Sequence, residues 1–194
     1  MSKYTYIICG KFYNGIDAEF KEGYKILVKD NKIEAVGREI PQPETAEVVD
    51  LSDATVTPGM IDAHMHMDYI DWHTIREEVY TTSEEAKTIA IIRTAQKTLS
   101  RGFTTVRHPG GITSNGFGVL DVKRAIEKGY ITGSRIVAAP RFLCAAGSHG
   151  DLSQGFARNP ELSNIAQNLR LSLGAGKDFF ANAVREEIKY GADF

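Results

Sequence analysis

Long hydrophobic runs are missing from this sequence of 194 residues, and no apolar stretch approaches the roughly 20 residues needed to cross a bilayer. Cysteine is scarce, because only Cys9 and Cys144 occur, far apart and without metal-ligand spacing. Two such residues indicate neither a disulfide framework nor a cysteine-based zinc site. We therefore expect a cytoplasmic protein with no membrane partner.

An excess of one charge is also lacking, since 23 Lys and Arg stand against 25 Asp and Glu, for a net charge of −2. This balance gives no electrostatic argument for a nucleic-acid partner. A glycine-rich phosphate loop is missing too, because Gly110-Gly111 lacks the spacing and the lysine of such a loop. The composition, 42% hydrophobic and 25% charged, is typical of a soluble globular protein.

The first part of the chain, residues 1–56, favours β-structure. Its strands are predicted from β-branched and aromatic runs bounded by glycine, asparagine and proline, at residues 4–10, 24–28, 32–37 and 46–50. The second and third runs flank a tight turn and predict a hairpin. No cluster of chemically active side chains occurs in this part, which we interpret as a structural β-domain.

From residue 57 onwards the pattern alternates between strands and helices. Predicted helices cover residues 82–100, 119–128 and 178–190, and predicted strands cover 103–106 and 135–139, with the opening of a further strand at 192–194. A capping-box spacing places the first helix start at Thr82, and a glycine follows each helix. This alternation predicts a parallel sheet with right-handed crossovers.

Two histidines separated by one residue follow the Pro58-Gly59 turn and a short apolar run. In a strand, Asp62, His64 and His66 would share one face. Imidazoles two residues apart on one face can ligate the same divalent metal ion. The alternative is that both histidines are polar residues on a half-exposed strand. Asp62 could orient a ligand histidine from outside the metal's own ligands, or it could be a buried structural carboxylate.

Polar residues also follow two later predicted strands. Arg107 and His108 follow the first of them, and a loop with Ser148, His149 and Asp151 follows the second. Ligand sites in parallel α/β folds collect at the C-terminal ends of strands. Because four of the five histidines lie at such ends, we predict a metal or polar-substrate site there.

Three segments resemble one known family. Residues 58–66, Pro-Gly-Met-Ile-Asp-Ala-His-Met-His, resemble the first barrel strand of the metal-dependent amidohydrolase superfamily, where the two histidines bind the more buried metal. Residues 102–108 and 146–151 resemble the second strand and the third-strand loop of its imidazolonepropionase-like and cytosolic dipeptidase-like subgroup. The second-strand motif usually ends in Val-Arg-Asp, so His108 departs from it.

The resemblance implies an α/β fold in which the N-terminal part of a (β/α)₈ TIM-like barrel is preceded by a small β-sandwich domain. Residues 1–56 would supply the N-terminal part of the sandwich. Residues 57–194 would supply the first half of the barrel and end at the start of its fourth strand. We therefore expect an N-terminal portion of a longer protein, whose partner is the complementary C-terminal part; a homo-oligomer is left open.

The resemblance also implies hydrolysis of amide, peptide or cyclic amide bonds in a small-molecule or peptide-like substrate by a metal-activated water. His64 and His66 would bind one or two divalent ions, with zinc the first choice. The family takes its other ligands from later strands, so this chain alone is expected to be inactive. A deaminase of the same superfamily and a non-catalytic scaffold protein are the alternatives.

The resemblance suggests roles for two further histidines. His149 would face the mouth of the active site and orient a substrate carbonyl or carboxylate; alternatively it is a loop histidine that caps nearby backbone. His108 would contact substrate, or it is a structural imidazole at a strand end. Four residues after the metal strand could shape the pocket, but we interpret them as a solvated loop: Asp68, Asp71, Trp72 and His73.

Overall fold

The computed structural model describes residues 2–69, 81–111, 117–151, 153, 158–168 and 173–194. The chain divides into two units, Met1–Pro58 and Gly59–Phe194. Among the helices that the structure describes, none is both long enough and apolar enough to cross a membrane.

The first unit is built around one five-stranded sheet. Its strands are β1 Tyr4–Phe12, β2 Lys21–Glu22, β3 Lys25–Lys29, β4 Lys32–Gly37 and β5 Glu47–Val56. Strand β1 pairs antiparallel with β2 and β3 and parallel with β5, and β4 continues the sheet as the hairpin partner of β3. The core of this unit contains Cys9, Phe12 and Ile26, with the Tyr24 ring stacked on Phe12 at 5.4 Å.

These strands confirm the predicted β-structure and its hairpin. Asp30 adopts a left-handed φ of 55° in the turn between β3 and β4, a conformation that aspartate tolerates better than most residues. The strands described between residues 2 and 58 form one sheet, so the predicted sandwich, which needs a second sheet, stays a prediction.

The second unit alternates strands with helices. Its elements are β6 Met60–Asp62, α1 Glu84–Ser100, β7 Phe103–Gly111, α2 Gly118–Glu127, β8 Arg135–Arg141, β9 Cys144–Ala145, α3 Pro160–Asn168, β10 Leu173–Gly174 and α4 Gly176–Tyr190. The strands β6, β7 and β8 form a sheet in that order, and both pairs are parallel. The predicted parallel sheet with helical crossovers is confirmed.

Helices α1 and α2 cover one face of this sheet. Buried side chains of β7 and β8 meet buried side chains of the helices in one core: Val106, Ile136 and Ala138 against Ile91, Ala95, Val119, Leu120 and Val122. Each large aliphatic residue buried in this way stabilises the fold by about 1.5–3 kcal/mol. Since residues two apart share a face, His108 lies on the same helix-facing side as Val106, and Arg107 lies on the opposite side.

The helices α1, α2 and α4 end within one residue of the predicted positions, whereas their starts differ from the predicted ones by one or two residues, and α3 was not predicted. Glycines in the left-handed region follow α1, α2 and α4, at Gly102, Gly129 and Gly191. The cap of α1, however, is Ser83, whose hydroxyl accepts the Ala86 N–H at 3.2 Å. The predicted start at Thr82 was therefore wrong by one residue.

The end of the described chain runs beside β8 without forming a regular strand. The Asp193 N–H donates to the Ala138 carbonyl, and the Ala138 N–H donates to the Asp193 carboxylate, both at 2.8 Å. Lys123 adds an ion pair to the same carboxylate. The predicted fourth strand is therefore present only as this local pairing with β8.

Candidate metal centre

The two histidines lie beyond the end of β6, not within it. The Asp62 carboxylate accepts the His64 N–H at 3.0 Å, a local bond that competes with continued strand pairing and bends the chain. The prediction that Asp62, His64 and His66 share one strand face was therefore wrong. One further main-chain bond connects this segment to β7, from the Met65 N–H to the Arg107 carbonyl at 2.9 Å.

His64 and His66 nevertheless lie side by side. Their ring centres are 5.2 Å apart and the ring planes are nearly perpendicular, at 88°. Two imidazoles on one tetrahedral ion, with metal–nitrogen distances of about 2.0–2.1 Å, hold their ring centres about 5 Å apart. His64 is exposed and His66 is half-buried, so the pair opens toward solvent on one side. The spacing fits a shared divalent ion.

His66 has one ring nitrogen occupied and one available. Its Nδ1 lies 2.7 Å from the Gly110 carbonyl, which can only accept, so Nδ1 carries the proton and donates. The lone pair is therefore on Nε2. This is the arrangement typical of metal-binding histidines, whose second nitrogen donates to a carbonyl or carboxylate.

Electrostatics keep His66 neutral. Burial lowers the pKa of His66 below its usual value, and the charges of His64 and His149 lower it further, whereas the bond to the Gly110 carbonyl acts in the opposite direction. A metal ligand must be unprotonated at the ligating nitrogen. The shift therefore favours metal binding at neutral pH.

Aromatic side chains fix the orientation of the His66 ring. Tyr69 stacks on it at 4.8 Å and Phe142 contacts it edge-on at 5.2 Å. The backbone of Gly110 makes room for Phe142, because its φ is +113° and an added Cβ would lie 2.7 Å from the Phe142 ring. Gly110 thus serves His66 twice, through its carbonyl and through the space that it leaves.

His108 lies behind His66, with ring centres 6.2 Å apart. Its side chain is 1% exposed, and its Nδ1 accepts the Met67 N–H at 3.1 Å. Burial, and secondarily the charge of His66, lowers the pKa of His108 to about 4, against the opposing effect of the Met65 and Pro140 carbonyls. His108 is therefore a neutral, buried acceptor.

The other predicted site residues have different surroundings. Asp62 is half-buried and binds the His64 backbone, so its role toward a histidine ring stays a prediction. His149 is exposed, and its effect on the His66 pKa places it near the site. Asp151 holds the loop that carries His149, because its carboxylate accepts the N–H groups of Gly147 and Ser153.

Sequence reasoning missed Tyr69, Gly110 and Phe142, and it misplaced Asp68. Asp68 is only 1% exposed, and an added Cβ at Gly111 would lie within 2.2 Å of its carboxylate, so its assignment to a solvated loop was wrong. The Gly110-Gly111 pair was the available signal for this close approach. Asp71, Trp72 and His73 lie outside the described residues.

The histidine pair alone would not complete a metal site. Across the residues with described positions, no group of three or more His, Cys, Asp or Glu side chains is placed to hold one ion. A catalytic zinc has three protein ligands and one open position. His64 and His66 thus fit two of the places around such an ion.

Comparisons with known proteins identify the family that this chain resembles. Residues 55–192 match the amidohydrolase family. Adenine deaminase of Lactobacillus delbrueckii subsp. bulgaricus is 45% identical over 47 residues, which cover 24% of this chain and 8% of that protein. Dihydroorotase of Lactobacillus leichmannii is 37% identical over 82 residues, which cover 42% of this chain and 16% of that protein.

Among solved structures, a Xaa-Pro dipeptidase with bound methionine in its active site resembles the chain with a TM-score of 0.81 and 28% identity. The match covers 98% of this chain and 46% of the dipeptidase. The chain therefore spans less than half the length of each of these three proteins.

Proposed function

Because the chain belongs to the amidohydrolase family, we propose that it supplies part of the active site of a metal-dependent hydrolase of amide, peptide or cyclic amide bonds. His64 and His66 would hold a divalent ion, with zinc the first choice because imidazole nitrogens suit it. The substrate would be a small molecule or a peptide-like compound, in keeping with the resemblance to a Xaa-Pro dipeptidase.

The observation that carries this proposal is the state of the His66 ring. Its Nδ1–H is committed to the Gly110 carbonyl at 2.7 Å, and its Nε2 lone pair is left for a ligand beside His64. A histidine in a purely structural role has no need of a partner imidazole at metal-sharing distance. This combination supports metal binding more directly than the motif alone.

Each residue of the site has its own part in the reaction. A bound divalent ion supplies Lewis acidity and lowers the pKa of a coordinated water. His64 and His66 would hold that ion, and the Gly110 carbonyl would keep His66 in the required tautomer. Tyr69 and Phe142 contact the His66 ring and would hold its orientation. His149, exposed near the site, would orient a substrate carbonyl or carboxylate.

The remaining ligands are proposed to come from other strands of the whole protein. In this proposal the parallel unit is part of a (β/α)₈ barrel and the first unit is part of a β-sandwich. The polypeptide that completes both would be the partner of these residues. The support is the length of the dipeptidase, of which this chain covers 46% while matching 98% of itself.

Deamination is the second candidate function. The similarity to an adenine deaminase, 45% over 47 residues, favours it specifically. The same histidine pair would serve either reaction, because both need a metal-activated water to attack carbon bonded to nitrogen. Activity toward amide or dipeptide substrates, compared with ammonia release from aminopurines, separates the two.

Metal content tests the proposal. The protein is purified with Zn²⁺ present, and its bound zinc is compared with that of the double variant His64→Ala/His66→Ala. We expect the double variant to lose its bound zinc. The matched control is His149→Ala, an exposed histidine near the site that should leave zinc content unchanged. Equal zinc content in the wild type and the double variant would contradict the proposal.

A further inference from the structure

The end of β7 holds the histidine segment by three hydrogen bonds of different kinds. The Met65 N–H donates to the Arg107 carbonyl at 2.9 Å, a main-chain bond. The Met67 N–H donates to the His108 ring at 3.1 Å. The His66 ring donates to the Gly110 carbonyl at 2.7 Å. Three successive residues of the segment are therefore each bound to β7.

The bond to His108 replaces a main-chain bond that regular pairing would supply. Pairing of β6 with β7 ends at Asp62, so Met67 has no place in the strand ladder. Met67 is fully buried, and a buried N–H without an acceptor is costly. The His108 imidazole supplies the acceptor at this point.

The position of His108 determines how it can act. The residue is only 1% exposed, so its ring offers no surface to a substrate. Its Nδ1 accepts an N–H and must carry a lone pair. His108 therefore acts on the site through the backbone of Met67, which directly follows His66.

We propose that His108 is a positioning residue whose Nδ1 holds the Met67 backbone and thereby keeps the His66 ring aligned for a metal ion. The Met67 bond on one side and the Gly110 bond on the other leave the His66 ring little freedom to turn. This proposal rests on the proposed function, since it takes His66 as a metal ligand. It replaces the interpretation of His108 as a substrate contact.

Three substitutions distinguish the role of the His108 ring as a hydrogen-bond acceptor from its role in filling space. In His108→Asn the amide oxygen can occupy the place of Nδ1, because both atoms are bonded to Cγ. His108→Gln is equally polar but carries its oxygen one bond further out. His108→Leu has the shape of Asn without an acceptor. Only the Asn variant should keep the bond to Met67.

The first measurement needs no metal. Amide hydrogen exchange at Met67 is followed by NMR in the metal-free protein, with the Ala95 amide, in the middle of α1, as internal reference. We expect exchange about tenfold faster in the Gln and Leu variants, as loss of one hydrogen bond would give, and near wild-type exchange in Asn. Equal exchange at Met67 in Asn and Gln would overturn the proposal.

The second measurement is the affinity for Zn²⁺ by competition with a chelator. The Gln and Leu variants should bind Zn²⁺ about 10–100-fold more weakly than wild type. This is the loss typical of removing a residue that orients a metal-binding side chain. The Asn variant should bind as wild type does. If Leu does not fold, Asn and Gln carry the comparison, and a weakening of Asn equal to that of Gln overturns the proposal.

The two proposals fail in different ways. If the wild type binds no Zn²⁺, the proposed function fails, while protection of Met67 in Asn but not in Gln still shows that His108 holds this backbone. If the wild type binds Zn²⁺ and all three variants match it, the metal site stands and the role of His108 is overturned.

Discussion

The second unit attaches two segments to its central strands in contrasting ways. The histidine segment is bound to β7 by neutral hydrogen bonds from Met65, His66 and Met67. Helix α4 is bound to β8 by charge: Arg141 pairs with Glu187 and, at 3.1 Å, with Glu186. Arg141 and Glu187 are both buried, whereas Glu186 is about half exposed.

The contrast follows from what each segment has to do. A cation beside His66 would repel a bound metal ion. Neutral carbonyl and imidazole acceptors hold the ring without changing its charge. Helix α4 has no such restriction, and a buried ion pair there makes any loss of one partner costly. Removal of single groups should therefore affect stability most at α4 and metal binding most at the histidine segment.

The largest effect on stability is expected for Glu187→Ala. It leaves the buried Arg141 guanidinium without its closest partner, and we expect the free energy of unfolding to fall by about 3–5 kcal/mol in urea denaturation. The control is Glu186→Ala, whose exposed carboxylate should contribute less than about 1 kcal/mol. Equal losses for the two variants would contradict the difference between buried and exposed partners.

Low pH should destabilise the fold through His108, which binds the histidine segment. The pKa of His108 is lowered to about 4 from the usual 6.5. Between pH 4 and pH 6.5 this residue is therefore protonated in the unfolded chain and neutral in the folded chain. Stability from this group is complete above pH 6.5 and is lost as pH falls toward 4, by about 3 kcal/mol at about 1.4 kcal/mol per pKa unit.

Urea denaturation of the metal-free protein between pH 7 and pH 4 measures this loss. The variant His108→Asn carries no titrating group at this position and should lose about 3 kcal/mol less than wild type over the same range. Parallel pH profiles for the two proteins would show that His108 does not contribute.

A smaller effect is expected for Gly110→Ala. The new Cβ would meet the Phe142 ring at 2.7 Å and would need a positive φ, which together should cost about 1–3 kcal/mol in thermal unfolding. Zinc affinity should fall as well, since the Gly110 carbonyl would move away from His66. The matched control is Gly147→Ala, where φ is +78° but nothing lies within 4 Å of the added Cβ, so only the backbone cost of about 1 kcal/mol applies. Equal losses of stability in the Gly110→Ala and Gly147→Ala variants would contradict the close approach of Gly110 to the Phe142 ring.

The smallest effect is expected at Asp193. Its carboxylate accepts the Ala138 N–H and pairs with Lys123, in partly exposed surroundings. Asp193→Ala should lower the free energy of unfolding by about 1 kcal/mol, whereas Asp193→Asn keeps an acceptor for Ala138 and should lower it by less. Equal losses for Asn and Ala would mean that the charge, and not the backbone bond, holds this segment.

The helices α1, α2 and α4 were predictable because their ends depend on local chemistry, whereas α3, β9 and β10 were not predicted. Helix ends followed from the glycines at 102, 129 and 191, each of which adopts the left-handed region. The one-residue shift at Thr82 arose because Thr82 and Ser83 are both good caps, and spacing alone does not separate them.

The site was only partly predictable because its contacts join distant residues. The histidine pair was predictable from its residue types and from its position at the end of a strand. The chain bends after Asp62 because its carboxylate accepts the His64 N–H. The alternation of apolar and polar residues does not predict this hydrogen bond. The bond from His66 to Gly110 spans 44 residues, and only the packed sheet brings the two together.

Nitrogen-15 NMR of the histidine rings tests the central claim most directly, because it reports the tautomer and the ligation of His66 in one experiment. We predict that His66 carries its proton on Nδ1 in the metal-free protein and that added Zn²⁺ shifts the Nε2 signals of His64 and His66 together. A proton on Nε2 of His66, or no shift at either ring on addition of Zn²⁺, would contradict the account.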